Sequence, residues 1–210
     1  MIDLETEQSP VRNQGDRGTC TGFAVSGGHD WMGSAEETRS AEDVIWAARQ
    51  NRPGAGDGVS VQAALTGLQT NQHASEPAWP YGNPHWSEGR PKAAGETANR
   101  IALPPWRRLN APSFEAIRDE LARDCAVVLT VGMVYDAWQF SQDVIDAKPG
   151  EKVPGRHAVL VVGASEKGEQ MEVLKVKNSW GTGWGNGGYA LLSRDYLEAY
   201  GVCAHSIEAS

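Results

Sequence analysis

Apolar residues in the first half of the chain recur at intervals of three or four positions, which is the spacing of one helix face. Most of these runs follow a serine, whose hydroxyl can accept a hydrogen bond from a backbone N–H left unpaired where a helix begins. The pattern predicts helices at 20–32 and after Ser40, Ser60 and Ser113. Ser40 is followed by Asp43, which suggests a reciprocal capping box at the second helix.

The pattern changes in the second half to short apolar runs that are bounded by glycine, proline or asparagine, as strands commonly are. Strands are predicted at 126–131, 158–162, 172–177 and 189–192. Between the two halves, residues 71–112 hold seven of the eleven prolines, so we expect packed loops there. Helices followed by strands indicate an α+β fold, with two lobes packed against each other.

Composition excludes several classes of protein. Of the 210 residues, 40% are apolar and 22% are charged, which is typical of a globular domain. The net charge of −8 and the absence of a basic stripe argue against a nucleic-acid partner. No apolar run approaches the roughly 18 residues that span a bilayer, so no membrane association is expected.

The acidic N-terminus does not have the pattern of a secretory signal peptide, which predicts a cytoplasmic protein. Export by another route and release from a larger precursor stay open. The three cysteines, Cys20, Cys125 and Cys203, cannot all pair within the chain. One disulfide with a free thiol and a fully reduced protein are both compatible with that count. The histidines show no ligand spacing with the cysteines, so we expect no metal and no cofactor.

Four residues offer the parts of a nucleophilic site. Cys20 begins the first predicted helix, where the helix dipole favours the thiolate. His157, in a predicted strand, can take the thiol proton. Asn178 can accept a hydrogen bond from the other ring nitrogen and fix the imidazole. The Gln14 carboxamide and the backbone N–H of Cys20 can stabilise an oxyanion.

These four residues lie in three specific motifs: Gln14-Gly15 with Gly18-Thr19-Cys20, His157-Ala158-Val159, and Asn178-Ser179-Trp180-Gly181 with Gly183-Trp184-Gly185. The order and spacing of these motifs resemble the papain family of cysteine peptidases from about residue 10 to residue 192. A weaker segment, Asp57-Gly58-Val59-Ser60, is similar to the substrate-binding loop of that family.

The resemblance implies an α+β fold with a helical N-terminal lobe, a β-barrel-like C-terminal lobe and an active-site cleft between them. We expect one domain over 1–210, mainly helical over about 10–112 and mainly β over 113–210. The implied activity is hydrolysis of peptide bonds in a polypeptide substrate through a thioacyl-enzyme. The implied roles are Cys20 as nucleophile, His157 as base and acid, Asn178 as orienting group and Gln14 as oxyanion donor.

The resemblance also implies substrate-binding residues. Gly58 and Val59 would hydrogen-bond an extended substrate backbone. Val61 and Ala158 would form walls of the pocket for the second residue before the scissile bond, which suits an apolar side chain.

Two tryptophans of the last motif are implied to serve the site in different ways. Trp180 would cover the Asn178–His157 hydrogen bond from water. Trp184 would line the leaving-group side of the cleft.

The chain also departs from the family pattern. Arg17 stands where the family commonly has a cysteine, and the substrate loop lacks the cysteine that would pair with it. Losing both together fits a reducing compartment. Thr21 replaces the usual tryptophan after the nucleophile. Because the first motif begins by residue 10, we expect no inhibitory propeptide in this chain. Either a propeptide has been removed, or the activity is controlled in another way, such as by a regulatory or inhibitory protein.

Two other functions use the same residues. A transglutaminase-like enzyme would pass the acyl group to an amine instead of water. A catalytically silent protein with this fold would serve only for binding. The motifs do not separate these alternatives, and they do not indicate an oligomeric state.

Overall fold

Helices and strands make up most of the part of the chain that the structure, a computed structural model, describes: residues 1–33, 37–140, 144–146, 149–167 and 171–208. None of the helices in these ranges has the length and apolar character needed to cross a membrane. The helices are α1 (Cys20–Met32), α2 (Ala41–Asn51), α3 (Val61–Asn71), α4 (Lys92–Gly95), α5 (Phe114–Leu121), α6 (Tyr135–Phe140) and α7 (Arg194–Tyr200). The strands are β1 (Ile2–Asp3), β2 (His73–Ala74), β3 (Arg100–Ile101), β4 (Trp106–Arg108), β5 (Ala126–Met133), β6 (Val144–Ile145), β7 (Gly155–Lys167), β8 (Met171–Lys177), β9 (Tyr189–Ser193) and β10 (Gly201–Ile207).

One large sheet organises these elements. Within the described ranges its order is β4-β10-β5-β7-β8-β9-β6, with β1 added beside β7, and only β6 pairs in parallel. The four predicted strands are confirmed as β5, β7, β8 and β9. The sequence pattern did not predict β10, because its polar residues His205 and Ser206 are both buried and leave no alternation of polar and apolar positions.

The predicted helix starts are confirmed by their caps. The hydroxyls of Ser40, Ser60 and Ser113 each accept a hydrogen bond from the backbone N–H three residues on, at 3.1–3.2 Å. The reciprocal capping box expected at Ser40 is wrong. Its backbone N–H donates to the carbonyl of Ala74, and the Asp43 carboxylate accepts from the backbone N–H of Ala74 instead.

Helix α1 packs directly against the large sheet, and this contact sets the position of Cys20. The glycine pair Gly27-Gly28 within this helix faces the sheet. A Cβ on Gly27 would lie 3.3 Å from the Leu160 side chain, and one on Gly28 would lie 3.1 Å from the Ile207 side chain. The glycines therefore allow the helix to approach β7 and β10 closely.

The proline-rich segment 71–112 is mostly loop, as predicted, and it is packed. Trp79 is fully buried beside Ala74 and Ala94, and its indole N–H donates to the carbonyl of Pro84 at 2.8 Å. The short strands β2 and β3 pair with each other inside this segment.

Candidate active site

An open cleft of about 810 Å³ runs beside the start of α1. Gln14, Cys20 and His157, three of the four predicted catalytic residues, line it. Cys20 lies at the first turn of α1, and His157 lies on β7. Asn178 follows the end of β8 and is buried behind His157. The fold thus brings together residues that are more than 150 positions apart in the sequence.

The Cys20 thiol is in an environment that favours its ionised form. Burial raises the pKa of this thiol, but a hydrogen bond with His157 and the charge of that ring together lower it by more, so the pKa of Cys20 lies below its ordinary value. The position at a helix N-terminus acts in the same direction. The backbone N–H of Cys20 has no acceptor within the helix, because the first N–H groups of a helix lack one.

The His157 ring is held by Asn178. The distance between His157 Nε2 and Asn178 Oδ1 is 2.7 Å, so the ring N–H donates to the amide oxygen. This leaves Nδ1 as the ring nitrogen for the thiol. Asn178 Oδ1 also accepts the backbone N–H of Ser179 at 2.8 Å, which fixes the direction of the amide.

Aromatic rings enclose the His157 imidazole. The ring centroid of Trp180 lies 4.9 Å from that of His157, and the centroid of Trp138 lies 5.0 Å away in an edge-on arrangement. Trp184 stacks on Trp138 and donates its indole N–H to the Trp138 carbonyl at 2.9 Å. Trp180 lines the cleft, whereas Trp184 is not among the described residues that line this cavity. No motif pointed to Trp138, which reaches the site from α6.

Two hydrogen bonds fix the Gln14 side chain. Its Nε2 donates to the carbonyl of Arg17 at 2.6 Å, and its Oε1 accepts from the Ser179 hydroxyl at 2.6 Å. The Gln14 backbone N–H also donates to the Ser179 carbonyl at 2.8 Å. One Nε2 hydrogen remains for a bound substrate. Ser179 was part of the Asn178 motif in the sequence, but the motif alone did not reveal that its hydroxyl holds the Gln14 side chain.

The residues predicted to bind substrate share the cleft wall with the reacting groups. Gly58, Val59, Val61 and Ala158 all line the cavity. The Val59 carbonyl already accepts the hydroxyl hydrogen of Thr21 at 2.9 Å, so the threonine that replaces the family's tryptophan anchors the substrate loop.

An arginine ties the substrate loop to the nucleophile loop. Nε and Nη2 of Arg17 donate to the two carboxylate oxygens of Asp57, each at 3.0 Å. Nη1 and Nη2 also donate to the buried carboxylate of Glu42, at 2.9 and 3.0 Å. The hydrogen bond from Arg17 is the main reason why the pKa of Asp57 falls to about 2. This ion pair joins the two segments that a disulfide commonly joins in the family that the sequence resembles.

All three cysteines are free thiols. Cys125 is buried, and burial raises its pKa. Cys203 is partly exposed and lines the cleft. Across the described ranges, no three His, Cys, Asp or Glu side chains are grouped in a way that could hold a metal ion.

Comparison with known proteins agrees with this geometry. The profile of the family described as papain family cysteine protease matches residues 2–209. Cathepsin K of Mus musculus is 28% identical over 202 residues, an alignment that covers 92% of this chain and 59% of that protein. The chain therefore spans less than two thirds of the length of this relative.

Solved structures share the fold at lower identity. The bromelain protease from Ananas comosus, solved with the E64 inhibitor, has a TM-score of 0.79 and 21% identity, and the match covers 100% of this chain and 98% of that one. Xylellain, a cysteine protease from Xylella fastidiosa, has a TM-score of 0.82 and 20% identity, covering 100% of this chain and 85% of that one. These likenesses show the α+β fold that was predicted. By the family match, the chain belongs to the papain family of cysteine proteases.

Proposed function

We propose that this protein is a cysteine peptidase that hydrolyses peptide bonds through a thioacyl-enzyme formed on Cys20. One observation carries the proposal: a thiol with a lowered pKa lies at a helix N-terminus in an open cleft, beside an imidazole that Asn178 holds at 2.7 Å. A structural thiol needs neither the lowered pKa nor the oriented base.

In the first half of the proposed reaction, Cys20 Sγ attacks the carbonyl carbon of the scissile bond. The carbonyl oxygen takes the negative charge and accepts hydrogen bonds from the Cys20 backbone N–H and from Gln14 Nε2. His157, which holds the proton from the thiol, donates it to the leaving nitrogen. The C–N bond breaks, the amine product departs, and the acyl group remains on sulfur.

In the second half, water replaces the departed amine. His157 takes a proton from this water, and the oxygen attacks the thioester carbon at the same oxyanion site. The C–S bond breaks, Cys20 leaves as the thiolate beside the protonated ring of His157, and the acid product departs. Asn178 holds the ring in one orientation through both halves.

A polypeptide is the proposed substrate, and a reducing compartment such as the cytoplasm is the proposed setting. The three free thiols and the Arg17–Asp57 ion pair support this setting, because no cross-link between the two loops depends on oxidation.

Cleavage of a peptide library in ¹⁸O-labelled water tests the proposal. We expect the wild type to give acid products that carry one ¹⁸O, and we expect the Cys20→Ala variant to give no product. The matched control is Cys125→Ala, which removes a thiol outside the cleft and should retain cleavage. Acyl transfer to an added amine without ¹⁸O incorporation would indicate a transferase, and no turnover would indicate a binding protein.

A further inference from the structure

Four neighbouring strands, β7, β5, β10 and β4, carry a row of side chains along the cleft, and the row ends at a charged group. Arg108 of β4 lies opposite His205 of β10, and Cys203 of the same strand lies opposite Thr130 of β5. Thr130 in turn lies opposite Ala158 of β7. Because side chains alternate between the faces of a strand, Cys203 and His205 share a face. The resulting row, all of which lines the cleft, is Ala158, Thr130, Cys203, His205 and Arg108.

His205 is a buried polar group with unused hydrogen-bonding capacity. Its side chain is only 2% exposed, and neither ring nitrogen has a hydrogen-bond partner among the described residues. Burial and the charge of Arg108 lower the pKa of His205 to about 4. The ring is therefore neutral near neutral pH and keeps one N–H to donate. Leaving such a group unpaired costs free energy, which a bound acceptor would recover.

The charge of the cleft is opposite to that of the whole protein. The chain has a net charge of −8, yet the described residues that line the cleft include four arginines and one acidic residue, Asp16. One of these arginines, Arg17, is neutralised by Glu42 and Asp57. Arg108 is exposed, and within the described part of the chain it has no ion-pair partner.

We propose that the pocket for the second residue before the scissile bond takes an acidic side chain, glutamate in particular. Its methylene groups would pack against Val61 and Ala158, and its carboxylate would accept hydrogen bonds from Arg108 and His205. The two apolar walls alone had suggested an apolar side chain, but the far end of the pocket favours an anionic tip. The inference rests on the proposed peptidase function, because it assumes that substrate runs along the 58–59 loop.

The test uses epoxysuccinyl peptides that alkylate a cleft thiol and carry glutamate, glutamine or leucine at the second position. Glutamine has the shape of glutamate without its charge. The second-order rate of Cys20 alkylation near neutral pH is read from intact mass. A charge-assisted hydrogen bond is worth enough for us to expect the glutamate probe to react at least about tenfold faster than the other two.

Substitution of Arg108 assigns the preference to this residue. Arg108→Gln should bring the ratio of the glutamate rate to the glutamine rate close to one, and Arg108→Glu should invert it. Arg118→Gln is the control, because it removes the charge of another exposed arginine outside the cleft and should keep the wild-type ratio. The inference is overturned if wild type prefers glutamine or leucine, or if Arg108→Gln retains the glutamate preference.

Alkylation and turnover separate this inference from the proposed function. A protein that shows the glutamate preference in alkylation but hydrolyses no peptide contradicts the peptidase proposal alone. A protein that hydrolyses peptides but prefers leucine or glutamine at this position contradicts the specificity inference alone.

Discussion

Arg17 Nε and Nη2 donate to both carboxylate oxygens of Asp57 at 3.0 Å, and this ion pair joins the loop that presents Cys20 to the loop that would bind substrate. The same guanidinium contacts Glu42, whose side chain is fully buried. A bidentate arginine–carboxylate pair fixes the relative orientation of the two groups, so it can serve as a cross-link between these loops. Unlike a disulfide, it does not depend on the redox state of the surroundings.

Arg17→Met should destabilise the protein strongly. It leaves the Glu42 carboxylate buried without its cation, and breaking a buried pair in this way costs about 3 kcal/mol or more. Urea unfolding measures the loss. Arg118→Met breaks an exposed pair and should stay within about 0.5 kcal/mol of wild type. A reductant should leave the Tm of wild type unchanged. An Arg17→Met protein as stable as the Arg118→Met protein would show that the ion pair does not stabilise the fold.

The contribution of Asp57 should depend on pH in a defined direction. Its pKa is about 2 in the folded protein, below the ordinary 3.8, so the ionised carboxylate stabilises the fold above 3.8 and this stabilisation is lost as the pH falls toward 2. The measurement is the Tm gap between wild type and Asp57→Asn. The gap should be constant above about pH 5 and narrow below the ordinary pKa. A gap that widens in acid would contradict the assignment.

Gln14→Ala should lower kcat by about 10²–10³, the usual effect of losing one oxyanion donor. Ser179→Ala should lower it less, because the hydroxyl acts by holding the Gln14 amide at 2.6 Å. Neither substitution should slow alkylation of Cys20 by iodoacetamide, since that reaction forms no oxyanion. Slower alkylation in both variants would show that they disturb the thiol itself and not the oxyanion site.

Gly58→Ala should raise KM without reducing stability. A Cβ at Gly58 meets no atom within 4 Å in the free protein, so it would project into the cleft where the substrate backbone is proposed to lie. Gly67→Ala should have the opposite pattern of effects. A Cβ at Gly67 would lie 2.2 Å from the Ala47 carbonyl oxygen, so this substitution should destabilise the fold by about 1–3 kcal/mol. Thermal unfolding and steady-state kinetics separate the two effects. An unchanged KM for Gly58→Ala would place the substrate elsewhere.

The catalytic candidates could be predicted from the sequence because each role demands a particular residue type in a fixed local context. A thiol at a helix start, a histidine on a strand and an asparagine after a strand are all visible as short motifs. The helix caps at Ser40, Ser60 and Ser113 were visible for the same reason. These features depend on neighbours within a few positions of the chain.

The rest of the site depends on contacts that no local pattern encodes. Trp138 of α6 meets His157, near the start of β7, only through the tertiary fold. Cys203 and His205 face the cleft because β10 pairs with β5 in one register, and a shift by one residue would turn both away. The Arg17–Asp57 pair joins two loops 40 positions apart. Such positions follow from sheet register and loop packing, which the alternation of residue types does not fix.

Alkylation of Cys20 by iodoacetamide tests the central claim most directly. Peptide mapping across a pH series compares its rate with those of Cys125 and of Cys203, which lines the same cleft. Cys20 should react fastest below the pH at which ordinary thiols ionise, and His157→Ala should slow it by about tenfold or more at neutral pH and move its profile to higher pH. If Cys20 reacts no faster than Cys203, or if His157→Ala leaves the profile unchanged, Cys20 is not an activated nucleophile.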